Sequence, residues 1–220
     1  FFFTLEKCCE FSPTKRTFPI LERSFFVKFA KKLSMELIDA LPPNLKTNPD
    51  IEKFLSEDFQ TKDFKKAELI SKQDQYNRNV YFIKKGLVRS FYYENGKEIT
   101  TKFYTEGNLM ANTDTLFQNN PTRYNFEAIE ESTVEFCNYA KLEELCAVSL
   151  ESANFSRFVL GNIITQMTDR ISTLQFHTAK EKYLRLIHEN PNIILRAPLG
   201  MIASYLGISQ ETLSRIRSEI

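Results

Sequence analysis

The chain has 220 residues, with 29 Lys+Arg against 28 Asp+Glu for a net charge of +1, and 42% hydrophobic and 26% charged residues, close to an average soluble protein. That length supports one large or two small domains with a true core, and 6 Gly with 8 Pro exclude a collagen-like or low-complexity chain. No uncharged run approaches the roughly 18 apolar residues of a transmembrane helix, and the near-zero net charge makes no global case for a nucleic-acid partner, so any such case is local.

Residues 1–34 differ from the rest. They hold 8 of the 20 Phe, carry 7 basic and 3 acidic residues, and show no steady period of either kind. They lack the basic start and long apolar run of a secretory signal. Met35, followed by Glu36-Leu37-Ile38-Asp39, reads like a natural protein start. Residues 1–34 are therefore set apart as an uncertain N-terminal extension, either sequence upstream of the true start or a separate arm.

Residues 35–65 read as short helices broken at Pro42-Pro43 and Pro49, with Ile51, Phe54 and Leu55 on one helical face. From Lys66 the period changes. Segments 67–71, 80–83, 87–93, 98–104, 124–129 and 133–137 are short and rich in β-branched and aromatic residues, which predicts six strands in a small antiparallel barrel or roll. Asn95-Gly96 is the strongest turn signal, because that pair accepts the positive φ values of a type I′ hairpin; Lys85-Gly86 and Glu106-Gly107 mark two more.

From about Lys141 the period returns to 3.6. Leu160, Ile164, Met167, Ile171 and Leu174 repeat at four- and three-residue steps, a two-heptad seam on a helix beginning near Glu151. Its alternatives are a homodimer interface and a helix packed on its own domain. A second helix is expected over 178–188, stopping near Asn190-Pro191.

Residues 199–218 have the layout of a helix-turn-helix. Ile202 and Leu206 lie one turn apart on a first helix, Ala203 permits a close crossing, and Gly207 accepts a left-handed turn. Ser209 is a natural N-cap for the second helix, whose buried stripe is expected at Leu213, Ile216 and Ile220. The opposite face offers Gln210, Glu211, Ser214, Arg215 and Arg217. Arg suits guanine, Glu accepts from cytosine, and Gln pairs with adenine. The alternative is a solvated helical face with a plain Glu211–Arg215 ion pair. Arg196 and Lys180, outside the second helix, are candidates for phosphate contacts.

Thiols and imidazoles add little. Cys8, Cys9, Cys137 and Cys146 contain no C-x-x-C pair and read as ordinary reduced thiols of a cytoplasmic protein. His177 and His188 are the only histidines, and residues 66–137 contain none, which argues against a cupin-type metal enzyme. No catalytic residue, metal or cofactor is expected.

The order β-roll, heptad helix, helix-turn-helix resembles the Crp/Fnr family of bacterial transcription regulators. The carrying residues are Tyr81-Phe-Ile-Lys-Lys-Gly-Leu-Val-Arg89, Glu94-Asn-Gly-Lys-Glu98, Gly107, Ala128 and Leu206-Gly-Ile-Ser-Gln-Glu-Thr-Leu-Ser-Arg215, and the resemblance spans roughly 35–220. It implies an α+β fold: N-terminal helices and a cyclic-nucleotide-binding-like antiparallel β-roll over 35–145, a dimerisation helix over 146–177, and a winged-helix-type DNA-binding domain over 178–220. A short C-terminal piece is expected beyond Ile220. The partners implied are double-stranded DNA, a second copy of the chain, RNA polymerase and an unidentified small-molecule effector, with no membrane.

By the same matching, Glu211, Ser214 and Arg215 fall on the family's base-reading positions, while Gln210 departs from the Arg often found there. The effector site departs further. Cyclic-nucleotide binders of the family carry Gly-Glu and later Arg-Ser/Thr; here Gly107 is followed by Asn108, Thr122 stands at the phosphate Arg, and Arg123 lies one residue away, on the other face of a strand. Binding of cAMP is therefore not expected. The resulting expectation is a dimeric, sequence-specific transcription regulator with an orphan sensor domain. The alternative is a small-molecule-binding β-roll whose DNA binding is secondary or lost.

Overall fold

The computed structural model describes residue 41, residues 43–46 and residues 48–220. The extension at 1–34, with Cys8, Cys9 and the expected start at Met35, lies outside the described residues.

Two short helices lead in, α1 (Pro43–Lys46) and α2 (Pro49–Glu57). The prolines begin these helices rather than merely break them: at the first positions a missing N–H costs nothing. Asn48 caps α2, its side chain accepting from the N–H of Asp50 at 2.9 Å. Ile51 and Phe54 pack with Leu45, Cys137 and Leu145, and Leu55 joins from the side, as the helical face predicted.

Eight strands follow: β1 (Gln60–Phe64), β2 (Leu69–Ser71), β3 (Asn79–Lys85), β4 (Val88–Glu94), β5 (Lys97–Tyr104), β6 (Leu109–Ala111), β7 (Asn125–Ala128) and β8 (Ser132–Asn138), with helix α3 (Thr113–Gln118) between β6 and β7. They form two antiparallel sheets, in the orders β1-β8-β3-β6 and β2-β7-β4-β5. Tyr81, Ile83, Val88, Tyr104, Met110, Phe126 and Val134 fill the space between them. The β4–β5 hairpin turns at Asn95 (φ 50°) and Gly96 (φ 74°), as expected.

Two of the eight strands and α3 were not foreseen. β1 is an edge strand with only Phe64 buried, so it shows no alternation. β6 is only three residues long. The strand expected at 67–71 starts at Leu69, because Ala67 turns at φ 65°.

Helix α4 (Tyr139–Val148) leads to α5 (Leu150–Phe176), a single 27-residue helix capped by Ser149. Then come α6 (Ala179–Glu189), α7 (Pro191–Arg196), α8 (Leu199–Leu206) and α9 (Gln210–Ser218). Thr178 and Glu181 form a capping box on α6. Pro191 both ends α6 and opens α7, a short helix beyond the expected stop near Asn190-Pro191. No strand follows β8 among the described residues, so they include no wing. No helix among them is long and apolar enough to cross a membrane.

The C-terminal helices share one core with the β-roll. Tyr183, Leu186, Ile193, Ile202, Leu206, Leu213 and Ile216 pack in a cluster that also contains Leu87, Phe103 and Ile129. Ile220 is not part of the buried stripe: α9 ends at Ser218, and Ile220 is exposed.

Candidate nucleic-acid interface

Local signals build the turn between α8 and α9. Gly207 takes φ 67° at the end of α8, and the Ser209 hydroxyl accepts from the N–H of Thr212 at 3.1 Å to start α9. Leu213 and Ile216 face inward. Ser209, Gln210, Glu211, Ser214, Arg215 and Arg217 are all exposed. A shallow cavity of about 580 Å³ lies against this face, lined by Leu199, Gln210, Glu211, Ser214, Arg215 and Ser218. Gly200 keeps the α8 side of it low: a Cβ there would stand 3.3 Å from Oε1 of Gln210.

The basic side chains of this face lack partners within the described chain. Among the described residues neither Arg215 nor Arg217 has a carboxylate within ion-pair distance, so the plain Glu211–Arg215 pair does not form. Glu211 stays charged at the α9 N-terminus, its carboxyl held below the usual value by its own backbone N–H and by the Ser209 hydroxyl.

Arg196 does not face outward as a phosphate contact. Its Nε lies 3.2 Å from both carboxylate oxygens of Glu130, and its Nη1 and Nη2 reach Glu106 at 3.0 and 2.7 Å. Together with the buried Glu106, it ties α7 to two turns of the β-roll. Lys180 is exposed.

The seam on α5 is open. Leu160, Ile164, Met167, Ile171 and Leu174 are 36–64% exposed, with Ile164, Met167 and Ile171 the most open and Leu174 lying beside the Gly207 turn.

The four residues expected to gather around an effector do not gather. Gly107 and Asn108 close the β5–β6 turn: the Gly107 N–H donates to Ile83 O, and the Asn108 side chain accepts from the N–H of Thr105. Thr122 is buried elsewhere, where its hydroxyl donates to Asn112 Oδ1 at 2.9 Å and Asn112 Nδ2 donates to Ser71 Oγ at 2.9 Å. Arg123 points into solvent and approaches Asp114 at 3.6 Å. The group opposite Thr122 is thus Asn112, not Asn108. Gly107-Asn108, expected at the family's Gly-Glu, instead closes a sharp turn that keeps the Asn108 side chain local. The Ser71–Asn112–Thr122 network is neutral, and its further bonds run to the Asn77 carbonyl and the Tyr124 N–H.

Residues 61–149 match the family model for the cyclic nucleotide-binding domain. No curated protein matches the chain. Among solved structures, FixK2 from Bradyrhizobium japonicum is similar at 22% identity, covering 73% of this chain and 83% of its own, with a TM-score of 0.65. A Crp/Fnr-family transcriptional regulator from Eubacterium rectale is similar at 16% identity, covering 84% and 86%, with a TM-score of 0.62. The c-di-GMP responsive regulator CLP of Xanthomonas campestris is similar at 16% identity, covering 77% and 89%, with a TM-score of 0.61. Residues 61–149 thus match the cyclic nucleotide-binding domain model, and the chain shares its fold with these solved proteins.

Proposed function

We propose that this protein is a homodimeric, sequence-specific DNA-binding transcription regulator whose β-roll is a sensor domain, rather than an enzyme. The observation that carries the reading is α9: Gln210, Glu211, Ser214 and Arg215 share one exposed face, with no carboxylate among the described residues paired to Arg215, while Leu213 and Ile216 anchor the other. A helix N-terminus presenting such residues suits entry into the major groove. The open α5 seam supports pairing of two chains, which would present two such helices. The neutral Ser71–Asn112–Thr122 network supports an effector other than a cyclic nucleotide, since it offers no charge to a phosphate.

The test is selection of bound sites from random duplexes by the full chain. The expected product is a pair of inverted half-sites about one helical turn, roughly 10 bp, apart. Failure to enrich any sequence would refute the reading.

A further inference from the structure

β5 is one of the two edge strands of its sheet. Edge strands present unpaired N–H and C=O groups. Here the first helix of the DNA-reading motif covers that edge. The Ser204 hydroxyl of α8 accepts from the N–H of Thr100 at 2.9 Å and donates to the carbonyl of Glu98 at 3.1 Å, replacing one rung of a missing strand. Next to it the guanidinium of Arg170, on α5, donates to the carbonyl of Tyr205 and stacks on its ring, 3.8 Å from the centroid. The Tyr205 ring also meets Phe103 of β5 edge-on, with centroids 5.3 Å apart. A third tie is Arg196, clamped between Glu106 and Glu130.

These contacts bind the back of the motif, while the α9 face stays free. Their geometry also decides what they can do. The Arg170 tie runs to α5, the helix carrying the open seam, and the Ser204 and Arg196 ties run to the β-roll. Two paired copies would therefore hold their α9 helices at one separation and one relative rotation.

We infer that Ser204, Arg170 and Arg196 are positioning residues, which fix the spacing between DNA half-sites that the dimer accepts. The inference rests on the DNA-binding reading above. On correctly spaced DNA both motifs dock and read together. On misspaced DNA, one motif must tear from β5 and α5 before it can reach its half-site. The cost of that tearing sets the discrimination.

The experiment measures binding of the full chain to three duplexes: the selected palindrome, the same palindrome with five base pairs inserted at its centre, and a single half-site. Five base pairs turn one half-site about half a helical turn away. Wild type should lose roughly 100-fold or more on the insertion, the avidity of the second half-site. Ser204→Ala combined with Arg196→Gln should lose no more than about tenfold, with half-site affinity unchanged. Ser204→Thr, which keeps the hydroxyl, should behave as wild type. Ser204→Ala alone serves if the double variant fails to fold by circular dichroism. Equal discrimination by wild type and variant would overturn the inference, as would indifference of wild type to spacing. A variant weakened on the half-site would show that these residues build the reading surface rather than aim it, and would overturn it too. Absence of wild-type binding to any duplex would instead defeat the DNA-binding reading, and this inference with it.

Discussion

Met167→Lys tests whether two copies pair through α5. Met167 is 60% exposed in the single chain. Full burial of a Met side chain stabilises by about 1.5–3 kcal/mol, so covering the exposed part is worth about 1–2 kcal/mol per copy. Two-fold symmetry doubles this to about 2–4 kcal/mol. The lysine adds a penalty of the same sign: two ammonium groups enter the middle of the seam with no carboxylate on its Leu160, Ile164, Ile171 and Leu174 neighbours. At 1.4 kcal/mol per decade, the dimer dissociation constant should rise by about 100-fold or more. Light scattering or sedimentation across a concentration series measures it, with Met167→Leu as the size-matched control. A Met167→Lys protein that dissociates at the wild-type concentration would refute the seam, and the dimer would have to form elsewhere.

The parts of the fold legible in the sequence are those set by neighbours along the chain. Asn95-Gly96 fixes its hairpin because both residues tolerate positive φ. Gly207 and Ser209 mark the end of one helix and the start of the next within three residues. What stayed hidden depends on partners distant in sequence. β1 is polar because only one face of one residue meets the core, so its strand state comes from pairing with β8 alone. Arg196 reads as a free cation because Glu130 and Glu106 are 66 and 90 positions away. Ser204 lies in an ordinary helical stretch, and nothing near it announces that an edge strand 104 positions earlier needs covering. The effector region failed for a related reason. Counting from Gly107 chose Asn108, but the turn carries the chain on through β6 before the residue facing Thr122 appears at Asn112.

Four further outcomes follow from the same geometry. Calorimetry with cAMP should show no binding, because Asn112 and Thr122 are neutral and bonded to each other and Arg123 faces solvent; micromolar binding would mean that another cation serves the phosphate. Gly86→Ala should lower stability by about 3 kcal/mol in urea unfolding, since φ is +108° and the new Cβ would stand 2.7 Å from the Ser132 Cα, a backbone atom that cannot swing away. Acid should loosen the Arg196 clamp. Burial pushes the Glu106 carboxyl up, but the hydrogen bond from Arg196, with backbone donors and the guanidinium charge, outweighs burial and holds it below its usual value. A depressed carboxylate adds stability above its unfolded value of about 4.3, lost as pH falls through the folded value. Glu106→Gln should therefore show a flatter decline of Tm below about pH 4.3 than wild type; parallel declines would remove Glu106 from the account. The last outcome separates reading from mere attachment on α9. Arg215→Ala should cost about 1–3 kcal/mol on the selected site and relax preference at one base pair, because its fork matches two acceptors on one guanine edge. Glu211→Ala should act with the opposite sign on nonspecific DNA. A carboxylate that accepts from a cytosine amino group also repels phosphates, so its removal loses discrimination while nonspecific affinity holds or rises. Shift assays on cognate and scrambled duplexes at two salt concentrations distinguish the two. If Arg215→Ala weakens every duplex equally and flattens the salt dependence, Arg215 grips the backbone, and the base-reading assignment of this helix face fails.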